Sequence, residues 1–165
     1  MTSIKPREWF VLVGFLAATF AASALGGLAT ASSVSSWYPT LTKPSWNPPA
    51  AVFAPVWTTL YVLMAIVGWR IWRQLKIPAL RPAARAVLTA FFLQLVLNAV
   101  WSVLFFGLRR PDLAFIEIVA LWCALFWLQI RLSRLDRVAA WLWLPYLVWV
   151  SFATALNFAI WRLNS

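Results

Sequence analysis

The sequence predicts an all-α protein, a single domain that spans a membrane as a bundle of five helices. Of its 165 residues, 64% are hydrophobic, whereas about half is usual in a soluble domain. A helix that crosses a bilayer needs about 20 mostly apolar residues, and five separate stretches of the chain meet that requirement. These predicted spans cover residues 9–30, 51–72, 83–106, 113–132 and 138–161.

The residue types exclude several classes of site. The chain has one cysteine, Cys123, and no histidine, so we expect no internal disulfide, no protein-supplied metal site and no resident cofactor. The formal net charge is +10, but the basic residues lie singly or in pairs beside apolar runs and form no basic surface of their own. We therefore expect membrane lipid, and no nucleic acid, as a partner.

The basic residues also predict the orientation of the five spans. An odd number of spans puts the two termini on opposite sides of the membrane. The side of the N-terminus carries most of the 14 basic residues, namely Lys5, Arg7, Arg70, Arg73, Lys76, Arg81, Arg85, Arg131, Arg134 and Arg137. The other side has only Lys43, Arg109, Arg110 and Arg162. For a multi-pass protein inserted from the cytoplasm, the positive-inside rule predicts a cytoplasmic N-terminus and an external C-terminus.

The first span has two interpretations. It could be a signal peptide, since basic residues precede it and Ala29-Thr30-Ala31 resembles a cleavage site. Its apolar run is longer than usual for a signal peptide, which favours a retained helix. Ala18, Ala22 and Gly26 recur at every fourth position, a spacing that lets helix backbones approach closely in lipid.

The loop predicted at residues 32–50 and the start of the second span are rich in proline and aromatic residues. Five prolines and six aromatic residues lie between positions 37 and 61. Because proline fixes φ and removes a hydrogen-bond donor, most of this segment must be a stiff, shaped loop. Its rings, Trp37, Tyr38 and Trp46, could form a lid over a ligand or an aromatic belt at the membrane surface.

The second span is predicted to begin near Pro49, since proline is tolerated in a first helical turn. Phe53, Trp57 and Tyr61 then lie four residues apart on one face of the helix. Such a face either packs against neighbouring helices or lines a pocket.

The third span carries a polar stripe, because Gln94, Asn98 and Ser102 also recur every four residues. An unpaired amide in hydrocarbon costs several kcal/mol, so these groups must meet other helices, water or a ligand. Two interpretations stay open: hydrogen bonding between helices, or Asn98 as a polar contact inside an aromatic pocket.

The fourth and fifth spans differ in their polar content. Glu117 follows Arg109, Arg110 and Asp112 closely, which predicts a structural ion pair near the membrane surface. Asp136, beside Arg134 and Arg137, is interpreted in the same way. On the fifth span, Tyr146, Trp149 and Ala153 are spaced for one face of the helix.

Four segments of the sequence carry a resemblance to a known family. They are W-Y-x-x-L-x-K-P-x-W-x-P-P at 37–49, F-x-P-V-W-x-x-L-Y at 53–61, QLVLNAVWSVLFFG at 94–107 and LPYLVWVSFATALNFAIWR at 144–162. In these motifs the chain resembles the TspO/MBR family of tryptophan-rich sensory and translocator proteins. The resemblance implies a five-helix membrane bundle that binds porphyrins and other hydrophobic ligands, with a homodimer contact through Ala86 and Ala90.

The resemblance also implies residue roles. It carries Trp57, Asn98 and Trp149 to the ligand pocket, and the loop residues Trp37, Tyr38, Lys43 and Trp46 to its lid. Combined with the aromatic faces above, it predicts a porphyrin-binding site for tetrapyrrole sensing, transport or regulation. The predicted ligand-binding residues are Trp37, Tyr38, Trp46, Phe53, Trp57, Tyr61, Asn98, Trp101, Trp149 and Ala153. Without histidine, a porphyrin is expected to be held by stacking and polar contacts, which favours the metal-free form.

Two alternative functions stay open. The chain has no carboxylate pair within a span and no nucleophile beside a base, so acid-base and covalent catalysis lack their residues. Some family members are reported to break down protoporphyrin under light, which would make Trp57 and Trp149 the residues beside the pigment. A lipid or sterol transporter is the other alternative. Leu156 and Arg162 fit the mammalian cholesterol-recognition pattern, but Phe158 stands where a tyrosine is expected, which puts sterol recognition in doubt.

Overall fold

The computed structural model describes residues 6–165, which form five long α-helices and no β-strand. The helices are α1 (Pro6–Ser36), α2 (Ala50–Gln74), α3 (Arg81–Ser102), α4 (Pro111–Leu135) and α5 (Arg137–Leu163). Each is long and apolar enough to cross a membrane, α3 together with the turn that continues it to Gly107. The predicted all-α, five-span architecture is therefore confirmed. Met1 and Lys5, on which part of the orientation argument rests, lie outside the described residues.

The first helix is longer than the apolar pattern indicated. It continues to Ser36, so the connection to α2 is residues 37–49 and not 32–50. The hydroxyl of Thr30 donates to the Gly26 carbonyl at 2.7 Å, and that of Ser36 donates to the Ser32 carbonyl at 2.5 Å. These local bonds let hydroxyl residues stay helical, and the first proline after them is Pro39. By contrast, α2 begins directly after Pro49, as predicted.

The five helices form a closed ring around a common core. Going round, α1 contacts α2, α2 contacts α5, α5 contacts α4, α4 contacts α3, and α3 returns to α1. The core between them is filled by large side chains that are almost fully buried, among them Met64, Phe91, Leu125, Trp143 and Tyr146.

Two glycines allow α1 to pack closely within this ring. A Cβ atom at Gly68 of α2 would lie 2.6 Å from the Phe15 ring and 3.1 Å from the Phe91 ring. One at Gly26 would lie 2.9 Å from the Ser102 hydroxyl on α3. The small-residue face of α1 therefore packs inside the protomer, where Ala22 is also buried.

The alternation of the helices gives the bundle two chemically different ends. At what we call the basic end, where α1 and α5 begin and α2 finishes, Lys76 contacts Glu8 and Arg70 contacts Asp136. At the loop end, where the 37–49 loop lies, Asn164 after α5 contacts Thr42 of the loop.

Candidate ligand site

The third helix ends in a wider helical turn that supports the loop. Residues Val103–Gly107 form a single π-helical segment, closed by the Leu108 amide donating to the Val103 carbonyl at 2.8 Å. Ser33 of α1 donates its hydroxyl to the Phe106 carbonyl at 2.7 Å, which keeps α1 against this turn. Such segments often occur at functional sites, and here the turn places the rings of Phe105 and Phe106 beneath the loop.

The first two aromatic residues of the loop pack onto these rings. The centroid of Trp37 lies 5.8 Å from that of Phe105, and the centroid of Tyr38 lies 5.6 Å from that of Phe106. Both residues are half-buried, so their rings pack against the bundle, and their role as a lid over a ligand stays a prediction.

The loop is also stiffened by its own polar contacts. The Tyr38 hydroxyl donates to Asn47 Oδ1 at 3.0 Å, and Lys43 Nζ donates to the Leu41 carbonyl at 2.9 Å. The Lys43 ammonium lies 4.8 Å from the centre of the Tyr38 ring. Burial raises the pKa of the Tyr38 hydroxyl, with the Asn47 hydrogen bond opposing, so this hydroxyl is neutral and acts as a donor.

Asn164, which the sequence analysis did not single out, fastens the loop to the end of α5. Its Nδ2 donates to the Thr42 carbonyl and its Oδ1 accepts from the Thr42 amide, both at 2.9 Å. The side chain thus pairs with the loop backbone as a neighbouring peptide group would. An asparagine just after a helix is common enough as a helix stop that its position alone gave no signal of this contact.

Beneath the loop, aromatic residues of α2 and α5 meet. Phe53 contacts Trp149 edge-on, with centroids 5.8 Å apart, and Trp149 in turn lies 5.6 Å from Phe152. Trp46 of the loop covers Phe152 at 5.7 Å and is itself 48% exposed. Phe152 therefore links Trp46 to Trp149, which contacts Phe53. Phe152 lies within the 144–162 motif but was not among the predicted ligand-binding residues.

The indole N–H of Trp149 has no hydrogen-bond partner among the described residues, although the nitrogen is buried. Leaving a buried donor unsatisfied costs about 1–3 kcal/mol.

Deeper in the bundle, Trp57 stacks on Tyr61 with centroids 5.6 Å apart and contacts Tyr146 edge-on. The Tyr61 hydroxyl donates to Asn98 Oδ1 at 2.6 Å, and Asn98 Nδ2 donates to the Tyr146 hydroxyl at 3.1 Å. Tyr146 donates to Gln94 Oε1 at 2.9 Å. This buried network joins α2, α3 and α5, so two members of the polar stripe, Gln94 and Asn98, form hydrogen bonds between helices.

Asn98 is only 3% exposed and sits behind the two tyrosines, so a direct contact between Asn98 and a ligand stays a prediction. Trp101 lies further toward the loop, where it stacks on Phe105 at 5.3 Å and donates to Asn157 Oδ1 at 2.9 Å. Ala153 is half-buried and packs against the core on the α5 face that carries Trp149.

The ion pair predicted for Glu117 does not form among the described residues. Arg110 pairs with Asp112, whereas both carboxylate oxygens of Glu117 are buried without a hydrogen-bond partner among the described residues. Glu117 shares the α4 face of Ala114 and Leu121, which are buried in the bundle, so the helix turns it away from the surface arginines.

Asp136 does form an ion pair, as predicted, but its partner is Arg70 of α2 and not its sequence neighbours Arg134 and Arg137. It also caps α5, because its Oδ1 accepts from the Ala139 amide at 3.0 Å. That role turns the carboxylate toward α2.

The fold and the site together define a class of protein: a five-helix membrane protein with an aromatic site under a proline-rich loop. Residues 15–162 match the TspO/MBR family model. The chain is 38% identical to the Tryptophan-rich protein TspO of Chlorobaculum tepidum over 159 residues, covering 92% of this chain and 89% of that relative. It is 35% identical to the Tryptophan-rich sensory protein of Cereibacter sphaeroides (95% and 93% covered) and 33% identical to the human Translocator protein (94% and 91% covered). The chain belongs to the TspO/MBR family.

Proposed function

We propose that this membrane protein binds a porphyrin of the protoporphyrin type between α2, α5 and the 37–49 loop, and that it acts in tetrapyrrole sensing, transport or regulation. The observation that carries the proposal is the buried Trp149 N–H without a partner among the described residues. A ligand with an acceptor at its rim, such as a porphyrin carboxylate, would satisfy this donor and recover part of its desolvation cost.

The surrounding side chains suit a flat, conjugated ligand. Phe53 and Trp57 of α2 and Trp149 of α5 place aromatic rings on both sides of the junction between these helices. Each contact between one of these rings and a porphyrin would contribute about 1 kcal/mol to binding beyond the burial of apolar area. Other flat hydrophobic molecules would use the same surfaces. With no histidine in the sequence, stacking and hydrogen bonding, and not ligation of iron, hold the porphyrin in this proposal.

Binding requires the rings to separate, because Phe53 and Trp149 are in direct contact. The half-exposed Trp46 lies at the edge of this junction, so we propose that the ligand enters beside it as the loop moves outward. Asn98 supports the site from behind by orienting Tyr61 and Tyr146.

A titration of the detergent-solubilised protein with protoporphyrin tests this proposal, with quenching of tryptophan emission as the readout. Trp149→Phe keeps a ring but removes the N–H, and should weaken binding about 2-fold to 10-fold. Trp57→Ala should weaken it by about 1–3 kcal/mol, roughly 5-fold to 150-fold. Trp127→Phe, on the outer face of α4, is the matched control and should bind normally.

Melting curves of each variant separate a binding role from a packing role. If Trp57→Ala and Trp149→Phe fold normally and bind protoporphyrin as tightly as the parent, the site assignment is refuted. Following the porphyrin absorbance in the dark and under illumination distinguishes simple binding from light-driven breakdown.

We also propose the orientation and assembly that the sequence predicts. Reporter fusions should place the N-terminus in the cytoplasm and the C-terminus outside, and two ends on one side would refute this orientation.

Ala86 of α3 is exposed and Ala90 is half-buried, which leaves the α3 surface open to a second protomer. Ala86→Leu combined with Ala90→Leu should shift the solubilised protein from homodimer toward monomer, and an unchanged mass would exclude this contact.

A further inference from the structure

A cleft of about 360 Å³ lies at the basic end of the bundle, between the start of α1, the end of α2 and the start of α5. It is lined by Glu8, Arg70, Arg73, Gln74, Lys76, Ile77 and Asp136. Because a helix rises 1.5 Å per residue, Arg73 lies about 24 Å along α2 from Trp57. The cleft is therefore separate from the aromatic site and faces the opposite side of the membrane.

The charges of the cleft are arranged in two layers. The carboxylates form its floor, where the side chains of Asp136 and Glu8 are only 6% and 8% exposed. The cations stand in front of them, with 29% of the Arg70, 36% of the Arg73 and 52% of the Lys76 side chain exposed. A molecule that approaches from water therefore meets positive charge, although the wall contains two acids.

The cations keep hydrogen-bond donors for a ligand. Asp136 accepts from Arg70 Nε at 3.0 Å and from Arg70 Nη2 at 2.9 Å, which leaves the remaining N–H groups of that guanidinium free of this pair. Lys76 contacts Glu8 at 2.5 Å, and Arg73 Nε lies 3.7 Å from the same carboxylate. A guanidinium has five N–H donors and an ammonium has three. These contacts therefore leave hydrogen-bond donors on Arg73 and Lys76 that a ligand could use.

Aromatic rings and the buried acids hold these cations in place. The Arg73 guanidinium lies 5.0 Å from the centre of the Trp69 ring, and the Lys76 ammonium lies 5.0 Å from that of Trp72. Trp69 is fixed in turn, because its indole N–H donates to the Glu8 carbonyl at 3.1 Å. Cations that are already positioned lose less side-chain entropy when a ligand binds.

We propose that this cleft binds a phosphate group, either of an anionic phospholipid headgroup or of a small phosphate compound. The Arg73 guanidinium, the N–H groups of Arg70 that do not bind Asp136 and the Lys76 ammonium lie around one opening, and together they form a donor set that suits phosphate oxygens. The site lies at the end of membrane-spanning helices, at the level of the headgroups, where basic pockets between helices meet anionic lipid. Ile77 at the rim is 46% exposed and offers an apolar contact to the glycerol and acyl part of a lipid.

The cations that would contact a phosphate all lie on α2 or directly after it, whereas α1 and the start of α5 contribute carboxylates. Arg70 and Arg73 belong to α2, and their carboxylate partners lie on α1 and at the start of α5. A ligand that neutralises the outer layer of cations lowers their mutual repulsion while the inner ion pairs persist. The bound protein should therefore melt at a higher temperature.

The test uses the full chain in neutral detergent, with native mass spectrometry and thermal melting as readouts. Phosphatidylglycerol, phosphatidylcholine and inorganic phosphate are added in separate arms. We expect phosphatidylglycerol to bind and to raise the melting temperature, and phosphatidylcholine to do so much less. Arg73→Gln should weaken phosphatidylglycerol binding roughly tenfold, whereas Arg162→Gln, which removes the same charge at the loop end, should leave it unchanged.

The arms distinguish the sources of the phosphate. Stabilisation by phosphatidylglycerol alone assigns the site to lipid, and equal stabilisation by inorganic phosphate assigns it to a soluble phosphate compound. Arg73→Lys, which keeps the charge but loses the fork, serves as the second variant if Arg73→Gln does not fold, and it should bind with intermediate affinity. The absence of stabilisation by either anion, or an equal loss in Arg162→Gln, would overturn the proposal.

Discussion

The two ends of the bundle each carry an arginine–aspartate pair with two hydrogen bonds, and the two pairs differ in what they connect. Arg70 and Asp136 lie 66 residues apart and join α2 to the start of α5, with an aspartate side chain that is 6% exposed. Arg110 and Asp112 lie two residues apart in one turn, with side chains 54% and 33% exposed. The same chemistry thus supports tertiary structure at one end and only local structure at the other.

This difference extends to the rest of each end. At the basic end, charged groups of α1, α2 and α5 meet directly. At the loop end, the long-range contacts among the described residues are neutral; they include aromatic pairs and hydrogen bonds of Ser33, Asn157 and Asn164 to backbone groups. Among the residues that the structure describes, opening of the loop end would therefore separate no ion pair between helices.

The largest expected effect is the loss of the buried ion pair. Asp136→Asn keeps a side chain that can cap α5 but leaves Arg70 without its counter-charge. We expect a loss of about 2–3 kcal/mol of stability, because breaking a buried pair leaves a charge uncompensated, and because the partial exposure of Arg70 reduces that penalty.

Asp112→Asn is the matched control at the loop end. It breaks a pair of the same geometry that is exposed and local, so it should leave the melting temperature nearly unchanged. Thermal melting in detergent measures both variants. Equal shifts in the two would contradict the distinction between the ends.

The contrast also shows what sequence can predict. Hydropathy over about 20 residues gave the five spans, because each helix must be apolar for most of its length to cross a bilayer. Periodicity placed Phe53, Trp57 and Tyr61 on one face, and Trp57 and Tyr61 stack as that spacing requires. Periodicity did not predict that motif residues of α2 and α5 would lie side by side, as Phe53 and Trp149 do; that expectation came from the family resemblance.

The errors share another physical cause. Glu117 and Asp136 were matched to charges nearby in sequence, but helix rotation turns Glu117 into the bundle, and Asp136 pairs with a residue 66 positions away. Asn164 and Phe152 gained their roles from which helices become neighbours. Periodicity fixes the face of a helix, whereas the partner of that face depends on the packing of the whole ring.

Acid should reproduce part of the Asp136→Asn effect. Burial acts to raise the pKa of Asp136, but hydrogen bonds from Arg70, the Ala139 amide and Gln74 outweigh it and hold that pKa below its ordinary value. A carboxyl with a lowered pKa contributes stability above its unfolded pKa, about 3.9, and loses it as the pH falls through the folded value.

The melting temperature of the parent should therefore decrease as the pH falls below about 4, because the aspartate takes up a proton in the unfolded state before it does so in the folded state. Asp136→Asn should lose less over this range, since its pair is already absent. An identical pH dependence in parent and variant would show that other groups cause the acid effect.

At the loop end, the corresponding change is Asn164→Ala. It removes two hydrogen bonds to the Thr42 backbone, each worth about 0.5–1.5 kcal/mol. Because the loop also packs on Phe105 and Phe106, we expect local opening and not unfolding of the bundle. Hydrogen exchange of the 37–49 amides should rise several-fold while that of α2 stays constant.

Thr42→Ala is the control for Asn164→Ala, because it changes the side chain but keeps the backbone groups that Asn164 contacts. It should leave exchange in the loop unchanged. Increased exchange throughout the helices of Asn164→Ala would mean that Asn164 stabilises the whole bundle, and the loop end would then resemble the basic end.

The smallest expected effects come from two lysines that sharpen the comparison, since each lies about 5 Å from an aromatic ring. Lys76 is 5.0 Å from the centre of Trp72 and also contacts the buried carboxylate of Glu8, whereas Lys43 is 4.8 Å from the centre of Tyr38 and donates to carbonyl oxygens of its own loop. Changing each to methionine retains an apolar stem over the ring and removes the charge. Lys76→Met should cost about 1 kcal/mol, because the ammonium is half exposed and water screens its ion pair. Lys43→Met should cost about 0.5 kcal/mol, the value of an exposed cation–π contact.

Salt separates the two cases further. Raising the ionic strength should shrink the difference in stability between the parent and Lys76→Met, because ions screen an exposed charge pair within a Debye length of about 10 Å at 0.1 M. The Lys43→Met difference should change little, since its partners carry no net charge. Melting at low and high salt measures both, and an equal salt dependence at the two lysines would show that the ends differ in connectivity but not in electrostatics.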